Sequence, residues 1–268
     1  MMKKIGFFGA GNMGMPILKA ASKLLGANEV GFYEPNEERA LYVAKETAAY
    51  AYADETELIC NSEYVVLAVK PQVAPSLMEK LSAYVDSHNR FISIMAGVST
   101  DTIRKALGID TPIVRLMPNT AAMVGEAMTC LCFNGCEADA PEVCFVTELC
   151  RSFGRVTVLP ENLMSAAVCA NGSSPAYVYM FIEALADGVV KYGIPRKTAY
   201  ELAAQTVLGA AKMVLETGEH PAQLKDNVCS PAGTTIAAVA ALEKAGFRNA
   251  VIKATDACYQ KSVDLSKK

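Results

Sequence analysis

The chain has no tryptophan and only two histidines, His88 and His220. Neither histidine neighbours a cysteine, so no Cys–His nucleophile and no His–carboxylate pair is on offer. A Gly-x-Ser-x-Gly elbow is also missing. Charge is scarce: 20% of residues are charged, against about 25% in an ordinary globular chain. Lys plus Arg is 25 and Asp plus Glu is 28, giving a net charge of −3. That balance gives no electrostatic case for a nucleic-acid or anionic-membrane partner. Long apolar runs are lacking. Asn12, Glu183, Asp187 and Lys212 interrupt the longest of them before the roughly 18 residues of a membrane span accumulate. Cys-x-x-Cys pairs are absent as well. The nine cysteines are odd in number, and Cys130-x-Cys132-x-x-x-Cys136 lacks zinc-ligand spacing. Free thiols, no metal and a cytoplasmic location are therefore expected. Cys169 and Cys229, which fall in functional-looking loops, are expected to be small buried thiols. The start Met1-Met2-Lys3-Lys4 followed by Ile5 to Ala10 imitates a secretory signal. The imitation fails where it runs into Gly9-Ala10-Gly11-Asn12-Met13-Gly14.

What is plentiful is apolar: 52% of the 268 residues are hydrophobic. The excess over charge excludes disorder and argues for surface buried in an oligomer. At roughly 150 residues per domain the length fits one to two domains. Residues 1–160 alternate short apolar runs with helical patterns. Strands are expected at Lys4–Phe8, Val30–Tyr33, Tyr64–Val69, Phe91–Ile94 and Ile113–Leu116. Helices are expected at Asn12–Leu25, Glu37–Glu46 and from a Ser99 cap to Leu107. Tyr64–Val69 is a continuous Val-rich run, the mark of a strand buried on both faces. Repeated βα units predict a Rossmann-type α/β domain, a doubly wound parallel sheet with helices on both faces. Past Pro160 the character changes, and residues 161–268 read as an all-helical dimerisation and substrate domain. Its helices are expected at Ala176–Lys191, Pro195–Thr217, Thr235–Ala245 and Phe247–Leu265. Ala176–Ile182 is apolar on every side, so it must be buried all round. A domain of this size offers little cover, which points to an intertwined homodimer.

Gly9, Gly11 and Gly14 complete a G-x-G-x-x-G between a strand and a helix. In that context the first Gly makes a tight turn, the second admits a pyrophosphate, and the third packs helix on strand. Asn12 and Met13 open the helix whose unpaired N–H groups face the phosphates. Glu34 ends the second strand, twenty residues after Gly14, where an acid accepts from a ribose 2′-hydroxyl. It repels a 2′-phosphate, and neither Pro35 nor Asn36 supplies a cation. NADH is thus favoured over NADPH, with Asn36 beside the ribose. Ala68-Val69-Lys70-Pro71 ends the buried strand, Ile94-Met95-Ala96-Gly97 the next, and Met117-Pro118-Asn119 a third. Ligands of open α/β sheets bind at such carboxyl ends. Lys70 can reach a phosphate, and the small Ala96 and Gly97 let a flat ring approach. In the second domain, Asp226 to Thr235 brings hydroxyls and backbone N–H groups to a helix start, a seat for a small carboxylate. With no strong base in view, the chemistry best suited to this chain is hydride transfer to an imine, which can enter protonated.

Taken together these residues resemble the pyrroline-5-carboxylate reductase family, over essentially the whole chain. Leu224-Lys225-Asp226-Asn227-Val228 and Ser230-Pro231-Ala232-Gly233-Thr234-Thr235 are very similar to the family signature. The resemblance implies a Rossmann domain followed by a helical domain interlocked with a second subunit, a substrate site between the two, and larger assemblies of dimers. It further implies that Ser230, Gly233, Thr234 and Thr235 bind the carboxylate of pyrroline-5-carboxylate. By the same resemblance the Thr235 hydroxyl lies at the ring nitrogen as the catalytic group, Asn227 lies near the nicotinamide, and Ala96 and Gly97 stand behind it. Two departures stand out: Asn171-Gly172-Ser173-Ser174 replaces Ser-Gly-Ser-Gly, and Ala232-Gly233 replaces Gly-Gly. A β-hydroxyacid dehydrogenase would share the two-domain plan but needs a catalytic lysine, for which only Lys191 is near the right place. A non-catalytic NAD(P) sensor on the same fold is the alternative from another class.

Overall fold

The computed structural model describes residues 2–108, 110 and 113–266. Met1 of the signal-like start and the last two residues of the second expected domain lie outside them. By compactness the chain forms two units. One runs to Ser173 and resumes at Cys258; the other is Ser174–Ala257.

The first unit is built from β1 (Lys3–Phe8), α1 (Gly14–Leu25), β2 (Val30–Tyr33), α2 (Glu37–Thr47), β3 (Tyr50–Ala51), α3 (Glu55–Cys60) and β4 (Ser62–Leu67). It continues through α4 (Ala74–Leu81), β5 (Arg90–Ser93), α5 (Thr100–Leu107), β6 (Ile113–Met117), β7 (Ala127–Asn134), α6 (Pro141–Arg151) and β8 (Gly154–Val158). The strands form one sheet in the order β3-β2-β1-β4-β5-β6-β7-β8. The period of two along each strand feeds a separate core on either face. Ile5, Phe7, Tyr64 and Val66 join α1 and α6 residues on one side; Phe8, Val65 and Leu67 join α3, α4 and α5 on the other. Helix starts follow their expected chemistry. Ser99 accepts from the Thr102 N–H at 3.1 Å, and Asn36 caps α2 through the Arg39 N–H at 2.8 Å.

The sheet departs from the all-parallel expectation at β7, which runs antiparallel to β6 and parallel to β8. Only nine residues (127 − 117 − 1) separate Met117 from Ala127. A parallel crossover needs about a dozen or more, so the chain has to turn back. β3, β7, β8, α3, α4 and α6 were not expected from the sequence. Cys130 and Cys132 lie on β7, buried against Met164; they alternate inward as strand residues do. Burial holds the Cys132 thiol up at about 11 and raises that of Cys130, so both stay protonated and unreactive.

After β8 a turn of helix (Glu161–Leu163), α7 (Met164–Ala167) and a π-helical turn (Val168–Gly172) close the first unit. The second unit holds α8 (Ser174–Val190), α9 (Arg196–Thr217), α10 (Pro221–Val228), α11 (Thr234–Lys244) and the start of α12 (Phe247–Ser266). Four of these helices lie where sequence periodicity places them; α10 was not expected. α8 and α9 touch through Ala186, Ala199 and Ala203, whose small side chains permit close approach.

Candidate functional site

The exits of β1, β2, β4 and β5 are stitched side by side by backbone hydrogen bonds. Gly9 N–H donates to Tyr33 at 3.0 Å, Ala68 N–H to Phe8 at 2.9 Å, and Ile94 N–H to Leu67 at 3.1 Å. Gly9, Glu34, Ala68 and Ala96 thus stand along one carboxyl edge. The centre of that edge is the β1/β4 neighbourhood, where strand order reverses and open α/β sheets bind ligands.

Each glycine of the loop has its own reason. Gly9 adopts φ +90, and a Cβ there would come within 2.9 Å of the Ala68 carbonyl oxygen. A Cβ at Gly14 would lie 2.4 Å from the Gly9 oxygen, so helix and loop could not pack. At Gly11 an added Cβ would meet nothing within 4 Å, so this position opens onto the space a pyrophosphate needs. Met13, the N-cap of α1, makes no side-chain cap bond; Met15 N–H donates to the Gly11 carbonyl at 3.0 Å and Pro16 has no N–H, so the Gly14 N–H is the first-turn donor left to face an anion. Glu34 is tied into the same loop. One carboxylate oxygen accepts from Ala10 N–H at 3.0 Å and the other from Asn36 N–H at 3.3 Å. Asn12, Asn36, Lys70 and Ala96 are exposed, while Met13, Ala68, Val69 and Gly97 are half-buried and Pro71 is half-buried beside Lys70.

Sequence reasoning missed two participants. Arg39 reaches back from the first turn of α2, donating from Nε to the Ala10 carbonyl at 2.9 Å and from Nη2 to Met15 Sδ at 3.3 Å. Ala10 is therefore gripped by an acid at its N–H and a base at its C=O. The signal available was helical spacing, since Arg39 lies one turn after the Asn36 cap. The second is a clasp at the β6 exit. Asn119 Nδ2 donates to the Asn171 carbonyl at 3.0 Å, and Asn171 Nδ2 donates to the carbonyls of Met117 and Met128 at 2.7 and 3.1 Å. The departure at Asn171 is thus a buried amide that fastens the π-helical turn to two strands.

In the second unit, Ser230-Pro231-Ala232-Gly233 is a tight turn closed by Gly233 N–H to the Ser230 carbonyl at 3.0 Å. Ala232 sits at φ +58, in the left-handed position that such turns reserve for glycine. A Cβ on Gly233 would lie 2.6 Å from Ser230 Oγ. Gly233 is the N-cap of α11 and no side chain caps that helix. The hydroxyls of Thr234 and Thr235 are therefore not spent as caps, and the first N–H groups of α11 point out with them. Asn227 lies in the last turn of α10, its Oδ1 accepting from Gln223 Nε2 at 2.8 Å. Cys169 is buried and Cys229 half-buried. Lys191 lies just past α8 with its ammonium 5.0 Å from the Tyr192 ring centroid.

A glycine loop at the switch point of a Rossmann sheet, with a helical second unit, defines a dinucleotide-dependent oxidoreductase. Residues 4–97 match a family model described as NADP oxidoreductase, coenzyme F420-dependent. Residues 161–265 match the pyrroline-5-carboxylate reductase dimerisation model. The pyrroline-5-carboxylate reductase of Escherichia coli K12 is 43% identical, with 100% of both chains covered. The solved enzyme of Coxiella burnetii superposes with a TM-score of 0.90 at 32% identity, covering 100% of each chain. That of Plasmodium falciparum, solved with NADP bound, gives 0.88 at 31% identity, covering 99% of this chain and all of the other. The chain belongs to the pyrroline-5-carboxylate reductase family.

Proposed function

We propose that the protein reduces 1-pyrroline-5-carboxylate to L-proline with NAD(P)H, the last step of proline biosynthesis. Family membership supports the reaction, and the uncapped α11 start with its two unspent hydroxyls is the observation that carries the residue assignment. The cofactor supplies a hydride from nicotinamide C4. In this reading Ser230 Oγ, the Thr234 N–H and the Thr234 hydroxyl hold the substrate carboxylate at the helix start that Gly233 opens. The Thr235 hydroxyl hydrogen-bonds the ring nitrogen. Hydride adds to C5 of the protonated imine, the C=N electron pair moves onto nitrogen, and a secondary amine results. No strong base is required, which agrees with a site built from hydroxyls and amides.

For the cofactor, Gly9, Gly11, Asn12, Met13 and Gly14 form the pyrophosphate cradle, with Glu34 and Asn36 at the ribose. Ala68, Val69, Lys70 and Pro71 line the adjoining exit, Ala96 and Gly97 form the wall behind the nicotinamide, and Asn227 contributes near it. Glu34 favours NADH. The functional division lies at 160/161, and the working species is a homodimer that can build larger assemblies in the cytoplasm. No helix among the described residues is long and apolar enough to cross a membrane. The deciding assay is turnover of the imine with NADH and NADPH side by side. Binding of NADH without its oxidation would mark a sensor and refute the enzymatic reading.

A further inference from the structure

One half-buried ionised group takes no part in the chemistry above. Glu161 follows Pro160 in the first unit, and its side chain is 18% exposed. One carboxylate oxygen accepts from the Thr100 backbone N–H at 2.8 Å and from Arg115 Nη1 at 2.9 Å. The other accepts from the Thr100 hydroxyl at 2.7 Å and from Asn134 Nδ2 at 2.6 Å. Asn134 Nδ2 also reaches the Thr100 hydroxyl oxygen at 3.1 Å, and the Arg115 side chain is 8% exposed. Four donors meet two oxygens, so only a carboxylate satisfies the set; an amide there would turn its NH2 toward two donors. A buried ion pair is a poor source of net stability, because an apolar replacement of similar volume does as well. What the carboxylate does fix is position. Thr100 is the first residue of α5, and Ala96-Gly97-Val98-Ser99 leads straight into it from β5. Gly97 stands at φ +77, and a Cβ on it would touch the Leu265 carbonyl oxygen at 3.5 Å. The loop is thus clamped at its far end by Glu161 and walled by the last turn of α12.

We propose that Glu161 is a positioning residue for hydride transfer: by clamping Thr100 between Arg115 and Asn134 it fixes the Ala96–Ser99 loop as the surface that sets the depth of the nicotinamide. The inference rests on the reading that Ala96 and Gly97 form that surface. The glycine-loop and Glu34 contacts share no hydrogen bond with Glu161, so cofactor affinity and hydride transfer separate.

The test uses the full chain with Glu161→Gln, Thr100→Val and Ala96→Leu. NADH affinity is measured by fluorescence, together with kcat, both KM values, the isotope effect with C4-deuterated NADH, and amide exchange of Ala96–Ser99 in the cofactor-free protein. Glu161→Gln should lower kcat about ten- to hundredfold, the scale of a misplacement near 1 Å. NADH affinity should stay within about threefold, since the cradle is untouched. The isotope effect should rise and loop exchange should quicken. Thr100→Val keeps the backbone donor and loses the hydroxyl, so it should shift kcat and isotope effect the same way by less. A Glu161→Gln protein with a lower Tm but parental kcat per active site and isotope effect would make Glu161 a mere strut and overturn the proposal. If Glu161→Gln does not fold, Thr100→Val decides: parental kcat and isotope effect overturn it equally. Ala96→Leu separates the premise from the inference. Parental turnover there removes the wall and the inference with it. Lost turnover there, with none lost on Glu161→Gln, overturns the inference alone.

Discussion

At residue scale the proposed reaction rests on one hydroxyl and the proposed cofactor choice on one carboxylate. As hydride arrives, the imine nitrogen gains electron density, so a hydroxyl beside it acts mainly in the transition state. The carboxylate is held equally before and after. Thr235→Ala should therefore lower kcat by about ten- to a thousandfold with a smaller rise in KM for the imine. Thr235→Ser should retain much of the activity. Ser230→Ala should do the reverse, raising KM with kcat nearly intact. Parental turnover by Thr235→Ala in steady-state kinetics would reduce that residue to part of a helix start. Glu34→Gln removes the charge while keeping an oxygen for Ala10 N–H. It should shift the NADH/NADPH ratio of kcat/KM toward NADPH by about 1–2 kcal/mol, the scale of one near-surface charge interaction. An unchanged ratio would show that the Arg39 side of the loop governs the choice. Ala232 carries strain that glycine would not. Left-handed backbone costs a non-glycine residue about 1–2 kcal/mol, partly offset by the entropy glycine loses on folding. Ala232→Gly should thus raise stability by about 0.5–1 kcal/mol, read as an increase in Tm.

At the scale of elements, what could be read locally was read. Tyr64–Val69 announced itself because both faces of β4 are buried, and Gly9–Gly14 because its three glycines fall at fixed spacing between a strand and a helix adjacent in sequence. β7 did not, because its cysteines drew attention as ligands although they simply alternate inward. α10 did not, because Asp226-Asn227 reads as loop. The Glu161 clamp could not be read, since Thr100, Arg115 and Asn134 converge on it only once the sheet has formed. That clamp makes a pH prediction. Burial pushes the Glu161 carboxyl up, but the Thr100 amide and hydroxyl bonds and the Arg115 guanidinium pull it further down, leaving it below the usual 4.5. A depressed carboxyl contributes stability above that usual value, which is lost as pH falls through the folded-state value. Urea midpoints should therefore show Glu161→Gln less stable than the parent at neutral pH, by about 2–3 kcal/mol. The gap should narrow as pH drops below 4.5. A gap constant across that window would mean that shape, and not charge, is what the site requires.

At the scale of the whole molecule, the second unit cannot account for its own stability. Among its described residues the buried hydrophobic side chains are three alanines, Ala186, Ala199 and Ala203. Its large apolar side chains face outward: Tyr179 is 62% exposed and Met180 68%, with Phe181, Leu208, Met213 and Ile252 exposed as well. Tyr177, Met180, Phe181, Leu242, Phe247 and Val251 line an open apolar groove of about 590 Å³. Monomers rarely leave so continuous an apolar surface in water, and a helix apolar on every side needs cover on every side. A match to a dimerisation model over 161–265 points to a second copy as that cover. Light scattering at low micromolar concentration should then give a dimer or a multiple of it. Met180→Asp places an unpaired charge where the partner would lie, at a cost of several kcal/mol on association, or at least a hundredfold in Kd at about 1.4 kcal/mol per factor of ten. The variant should dissociate, lose thermal stability and lose activity together, because three alanines cannot hold five helices folded once the partner leaves. A stable, active monomer, in the parent or in Met180→Asp, would show that the exposed face serves something other than self-association.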